Sequence, residues 1–131
     1  MAANREILSL TDIQLLVDTF YSRVQQDALL SPVFNERIQD NWPQHLQKMY
    51  AFWQTVLLEE HTYFGAPFRP HATLPIDGSY FQQWLNLFTQ TVDELFTGDK
   101  AEEAKWRAGK MAELFEAKHS YISANRHTSI L

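Results

Sequence analysis

The sequence predicts a single all-α domain, and three observations carry that prediction. Apolar side chains recur at three- and four-residue intervals over four long stretches. No stretch alternates apolar and polar residues as a half-buried strand does. Apart from Gly109, the prolines and glycines fall between the periodic stretches or at their starts. A length of 131 residues suffices to bury an ordinary core without disulfides or a structural metal. There is no repeat, low-complexity tract or linker. One domain over 1–131 is expected, with residues 1–10 as a loose lead-in and 124–131 as a frayed tail.

Composition removes several function classes. The formal net charge is −5 and the eleven Lys and Arg are scattered, so there is no nucleic-acid footprint, which needs clustered cations. The absence of cysteine removes disulfides, thiolate zinc sites, iron–sulfur clusters and thiol catalysis together. The first residues lack the apolar core of a secretory signal, and no apolar run approaches the ~18 residues of a spanning helix. A cytoplasmic protein without a membrane partner is expected.

Thr11 or Asp12 is placed to cap the first helix, on which Ile13, Leu16, Val17, Phe20, Tyr21 and Val24 share a face. Tyr21 therefore points inward, where its hydroxyl needs a partner: a carbonyl if it is only a core residue, a ligand if it is functional. Ala28 to Phe34 breaks at Ser31-Pro32 and reads as a tight corner, or one helical turn, that pushes Phe34 inward. Asp40 or Asn41 caps the next helix, with Pro43 in its first turn. Its apolar members are Leu46, Met49, Phe52, Trp53, Val56 and Leu57, and His45, Met49 and Trp53 follow at four-residue intervals on one face.

Between His61 and Pro75, Gly65, Pro67, Pro70 and Pro75 forbid a long helix. Tyr63, Phe64 and Phe68 are nonetheless too apolar for a solvated loop. His71 is held there in a short turn or one-turn helix, among aromatic side chains that cover the core or grip a flat ligand. After Asp77-Gly78-Ser79 a third long helix buries Phe81, Trp84, Leu85, Phe88, Val92 and Leu95. The Gly98-Asp99 turn ends it, and Asp99 with Glu102 resembles a capping box for the last helix. That helix, roughly Lys100 to Ser123, buries Ala104, Ala108, Met111, Leu114, Phe115 and Ile122. Gly109 costs it stability and is expected to mark a close helix crossing.

The chemistry narrows from there. The glycines are too dispersed for a phosphate loop or a dinucleotide fingerprint, no HExxH occurs, and no Glu-x-x-His pair suits a di-iron bundle. Glu59, Glu60 and His61 are adjacent and do not share a helical face. His45, His61 and His71 offer nitrogen ligands for zinc, but no two have the short spacing of zinc motifs. A flat macrocycle fits better: haem needs one axial histidine, a broad apolar slot and a few polar groups on the other face. A cofactor-free helical interaction module, with the same residues as core, is the competing reading.

Taken in order, several segments resemble the truncated haemoglobins of the two-over-two sandwich type, and within them the third group. They are Phe20-Tyr21, Pro32-Val33-Phe34, Trp42-Pro43-Gln44-His45-Leu46 with Met49 and Phe52-Trp53, and Tyr63-Phe64-Gly65-Ala66-Pro67. His71-Ala72-Thr73-Leu74, Phe81-Gln82-Gln83-Trp84-Leu85 and Thr91-Val92-Asp93 complete the set, from about Leu8 to Phe115. The glycine pairs of the other groups are missing, as the third group requires.

The resemblance implies a truncated globin fold enclosing haem b (iron protoporphyrin IX), with His71 as the metal ligand. Tyr21, His45 and Trp84 would line the distal face and stabilise the bound ligand, and Phe34 would brace the macrocycle. Met49, Phe52, Trp53, Phe81, Leu85 and Phe88 match apolar positions facing the haem or its surrounding core. Tyr63, Phe64 and Arg69 fall where the haem edge and propionates would be. O2, CO, NO or peroxide would bind at an iron capable of five-coordination. A donor-rich pocket suggests redox chemistry on O2, peroxide or nitrogen oxides rather than bulk oxygen transport. Peroxidase-like and nitric-oxide dioxygenase activities, served by a reductase, both stay open. The alternative is a haem-based sensor or haem-handling protein coordinated by both His45 and His71. A monomer or weak dimer is expected.

Overall fold

A computed structural model describes residues 4–63, 65 and 74–129, with side chains to residue 124, and among these residues there are five α-helices. They are α1 (Leu10–Gln26), α2 (Ser31–Ile38), α3 (Trp42–Leu58), α4 (Gly78–Leu95) and α5 (Asp99–Ser129), with a 3-10 turn at Gln39–Asn41. Helix α1 packs on α3 and on α4, and α4 packs on α5. The pairs α1/α3 and α4/α5 thus meet through α1 and α4, which is the expected two-over-two helical sandwich. No described helix is long and apolar enough to cross a membrane.

The predicted stripe of α1 is buried in full: Ile13, Leu16, Val17, Phe20, Tyr21 and Val24. At the centre Phe88 is stacked between Trp53, at 4.9 Å and 17°, and Trp84, at 5.6 Å and 7°. Phe20 meets Phe88 edge-on at 5.3 Å. Such ring pairs contribute about 0.5–1.5 kcal/mol each beyond their buried area, so this cluster locks three helices together. Helix α5 packs chiefly on α4, and it buries Ala101, Ala104, Ala108 and Ala112. Side chains that small let two helix backbones approach closely.

The structure departs from the sequence reading in several places. The lead-in is tied down from residue 4: Thr97 N–H donates to Arg5 O at 2.9 Å, Asn4 Nδ2 donates to Asp93 O at 2.8 Å, and Ile7 is buried. These partners lie some ninety residues away in sequence, beyond any local pattern. Neither Thr11 nor Asp12 caps α1, which starts at Leu10 after Ser9. Asp12 sits inside the first turn, accepts from Leu8 N–H at 2.9 Å and pairs with Arg5 at 2.6 Å. The corner at Ser31-Pro32 is a helix of eight residues, because Pro32 lies in the first turn, where its missing N–H costs nothing. Neither Asp40 nor Asn41 caps α3 through its side chain; the helix follows directly from the 3-10 turn.

Helix α5 holds the remaining corrections. Gly109 marks no crossing, since nothing lies within 4 Å of the position a Cβ would take. Leu114 is 50% exposed, because it stands two residues, or roughly 200°, around the helix from Ala112. Asp99 is already helical, and Glu102 pairs with Lys105 at 2.5 Å rather than closing a capping box. The helix runs to Ser129 instead of ending near Ser123.

Candidate functional site

A cavity of about 620 Å³ opens among α2, α3, α4 and α5, a size typical of ligand and cofactor sites. Tyr21, Phe34, His45, Met49, Phe52, Trp53, Tyr63, Phe81 and Trp84 all line it. Residues from four separate stretches of sequence are thereby brought to one place. Leu85 and Phe88 do not line it. Leu85 packs against the core, and Phe88 lies behind Trp84 and Trp53 as their stacking partner. Phe64, Arg69 and His71 lie outside the described residues.

Among the donor-bearing side chains that line the cavity are Tyr21, His45 and Trp84, from three helices. Tyr21 of α1 is 6% exposed, and its ring meets Phe34 at 6.0 Å, Trp42 at 5.9 Å and His45 at 5.0 Å, all edge-on. Burial pushes the Tyr21 phenol pKa up, so the hydroxyl stays protonated and able to donate at any ordinary pH. His45 of α3 stands edge-on between Tyr21 and Trp42, the latter at 5.7 Å, with its Nε2 shielded from solvent. Trp84 of α4 lies flat on Phe88 and edge-on to Phe20 at 5.6 Å, which fixes its plane. The neighbouring Gln83 donates to Asp27 at 2.7 Å. Asp27 also accepts from the backbone N–H groups of Leu29 and Leu30, so one carboxylate fixes α4 against the α1–α2 corner.

On either side of the segment that carries His71, Tyr63 and Leu74 both line the cavity, as does Ile76 just beyond. Phe52 meets Tyr63 edge-on at 5.3 Å. Met111 and Phe115 of α5 complete the apolar wall.

Several lining residues escaped sequence reasoning, among them Ile38, Ile76, Tyr80 and two cations. Arg37 of α2 and Lys48 of α3 both reach the cavity, and among the described residues no Asp or Glu lines it, although the chain carries sixteen acidic residues and a net charge of −5. The signal was present: Arg37 lies three residues after Phe34 and Lys48 three after His45, each on the same helical face as its predecessor. The cavity therefore suits a flat apolar group with acidic substituents, and haem with its two propionates is such a group. Among the described residues no group of three His, Asp or Glu could hold a bare metal ion, and His71 of the zinc reading lies outside them.

Known proteins resemble this chain in sequence and in fold. The sequence matches the bacterial-like globin family over residues 7–119. It is 30% identical over 115 residues to a group 3 truncated haemoglobin of Campylobacter jejuni, a match spanning 85% of this chain and 91% of that one. A crystal structure of the group III truncated haemoglobin from Campylobacter jejuni aligns with a TM-score of 0.81 at 29% identity, covering 88% of this chain and 94% of the other.

Proposed function

We propose a haem-based, ligand-binding function from one premise: this chain belongs to the bacterial-like globin family and, within it, to the group 3 truncated haemoglobins. Haem binding and diatomic-ligand binding are the chemistry of that family. The observation that carries the reading is the make-up of the cavity: apolar walls, donors that include Tyr21, His45 and Trp84 from three helices, and, among the described residues, two cations and no carboxylate. When bound, haem supplies an iron site for O2, CO, NO or peroxide and for redox chemistry on them.

In this reading His71 would hold the haem iron through its imidazole, supported by the fact that Tyr63 and Leu74, the described residues nearest it in sequence whose side chains are placed, both line the cavity. Arg37 and Lys48, together with Arg69, hold the propionates. The chain has no cysteine, so no thioether can tether the macrocycle, which supports haem b. Phe34, Phe52 and Trp53 exclude water.

Tyr21 and Trp84 donate hydrogen bonds to the polar end of a small ligand, and His45 offers a third donor. Each such bond is worth about 1–3 kcal/mol in an apolar site, and together they slow ligand release by orders of magnitude. Slow release favours redox chemistry on O2, peroxide or nitrogen oxides, with electrons from a reductase, over oxygen transport. Edge-on packing of His45 by Tyr21 and Trp42 supports a donor role over a second axial ligand.

Titration of the cofactor-free chain with haem tests the reading. The Soret band should saturate at one haem per chain while fluorescence from Trp53 and Trp84 is quenched. No Soret band at stoichiometric haem refutes it and restores the interaction-module reading. A low-spin six-coordinate resting spectrum that His45→Leu abolishes would instead select the sensor or haem-handling alternative.

A further inference from the structure

Helix α5 packs chiefly on α4 and buries Ala101, Ala104, Ala108 and Ala112, which share one side of the helix. The side turned away from them is not the wholly polar surface that a solvent-facing helix ordinarily shows. Trp106 is 60% exposed there, Leu114 50% and Tyr121 71%. At about 100° per residue, Trp106, Ala117, Tyr121 and Leu114 fall within a sector of about 80°, and from Trp106 to Tyr121 that strip is about 22 Å long. Ala117 is exposed on it. Lys110 lies in the same sector with its Nζ 5.9 Å from the centroid of the Trp106 ring, a cation–π contact that holds the indole along the helix. Single exposed apolar residues are normal, whereas an apolar strip along one face marks a surface that another molecule covers.

Charge is ordered on either side of the strip. Lys100, Arg107 and Lys118 follow one border, and Glu102, Glu113 and Glu116 follow the other. Glu103 pairs with Lys100 and Arg107 within the helix, and Lys105 with Glu102, so one border stays basic and the other acidic. A helix with this pattern complements itself. When two copies lie parallel about a two-fold axis that runs along the helices, the basic border of each faces the acidic border of the other. An antiparallel pair sets like border against like. Exposed ion pairs contribute little affinity, but they decide orientation.

We propose that this face of α5 joins two copies of the chain, as a parallel pair in which Trp106 and Ala117 each meet their own counterpart near the axis. The small side chain of Ala117 lets the two helices close up along the strip. The exposed parts of Trp106, Tyr121 and Leu114, with Ala117 and the aliphatic stems beside them, offer on the order of 500 Å² per copy, or about 1,000 Å² in all. A standard stable interface buries about 1,600 Å², so this dimer assembles at micromolar protein and not at nanomolar. Met111, Ala112 and Phe115, which line the cavity, lie on other sides of the helix, so the pairing does not depend on the haem reading.

Sedimentation velocity of the full chain from about 1 to 300 μM tests the pairing. The sedimentation coefficient should climb from that of a 15.3 kDa monomer toward that of a dimer. Trp106→Glu changes an exposed site and should move the midpoint about ten-fold or more to higher concentration. The chain has no cysteine, so a single introduced thiol reports cleanly on arrangement. Under mild oxidation Ala117→Cys should form a disulfide dimer far faster than Ser22→Cys, at an exposed position on α1, and adding Trp106→Glu should abolish the difference. In an antiparallel pair that sets Trp106 on Tyr121, the two copies of residue 117 stand about 10 Å apart along the helices, out of disulfide reach. A chain that stays monomeric at the highest concentration overturns the proposal, as does a dimer that Trp106→Glu leaves unweakened. Cross-linking of Ala117→Cys no faster than that of Ser22→Cys overturns it too, because the parallel pairing is then absent.

Discussion

Replacing Tyr21 by Phe removes one oxygen atom and keeps a ring held by Phe20 at 4.9 Å, Phe34 at 6.0 Å and His45 at 5.0 Å. Packing is preserved, so the perturbation isolates the hydroxyl. Oxygen develops negative charge when it binds ferrous haem, and a hydrogen bond to a charged acceptor is worth about 1.5–3 kcal/mol. At about 1.4 kcal/mol per decade, oxygen release should accelerate roughly 10- to 150-fold. Trp84 and His45 line the same cavity and move the result toward the lower end to the extent that they take over the acceptor. Carbon monoxide carries far less charge, so its release should change by no more than about three-fold. Stopped-flow replacement of each gas measures both rates. An oxygen rate equal to wild type would refute the argument, and so would a carbon monoxide rate that rises as much as the oxygen rate, which would place the effect in packing.

Further outcomes follow from α5 and from the tyrosines. Gly109→Ala should stabilise the fold by up to about 1 kcal/mol and raise the melting temperature, because the helix gains propensity and the added methyl meets open space. Ala108→Leu, one residue earlier but on the buried face, should cost about 1–3 kcal/mol in the same melt by overpacking. The Tyr50 pKa is pushed from 10.0 up to about 12 by burial and then by its hydrogen bond to Asp18, and burial raises that of Tyr21 as well. Above pH 10 the unfolded chain releases phenolic protons that the folded chain keeps, so stability present below pH 10 is lost as pH rises toward 12. Urea midpoints across that window should fall, and Tyr50→Phe should flatten the decline.

That Tyr21, His45 and Trp84 face inward was legible in the sequence, because it rests on helical periodicity. Tyr21 shares the Val17–Val24 stripe, His45 precedes Met49 by one turn, and Trp84 sits four before Phe88. Each then arrives at the same cavity. What escaped depends on contacts between distant segments. Arg5 pairs with the chain at Leu95 and Thr97, and His119 reaches Leu74 forty-five residues back. Helix α2 was obscured for a different reason: proline ends helices in their interior but begins them at the first turn, and Pro32 does the latter. On α5 one large residue misled: Leu114, read as buried, is exposed, whereas Ala104 and Ala108 are buried as read, together with Ala101 and Ala112. Thr91 is buried in the α4 stripe because its hydroxyl donates to Leu87 O at 2.7 Å and accepts from Arg23 at 3.1 Å, partners that a hydropathy pattern does not weigh.

The central claim is that His71 binds the haem iron while His45 stays a distal donor. Its most direct test is the absorption spectrum of the haem-loaded wild type beside His71→Gly and His45→Leu, in ferric, ferrous and carbon-monoxide forms. The account predicts that axial histidine coordination is lost with His71→Gly and retained in His45→Leu. A His71→Gly protein with the wild-type spectrum in all three forms would contradict it.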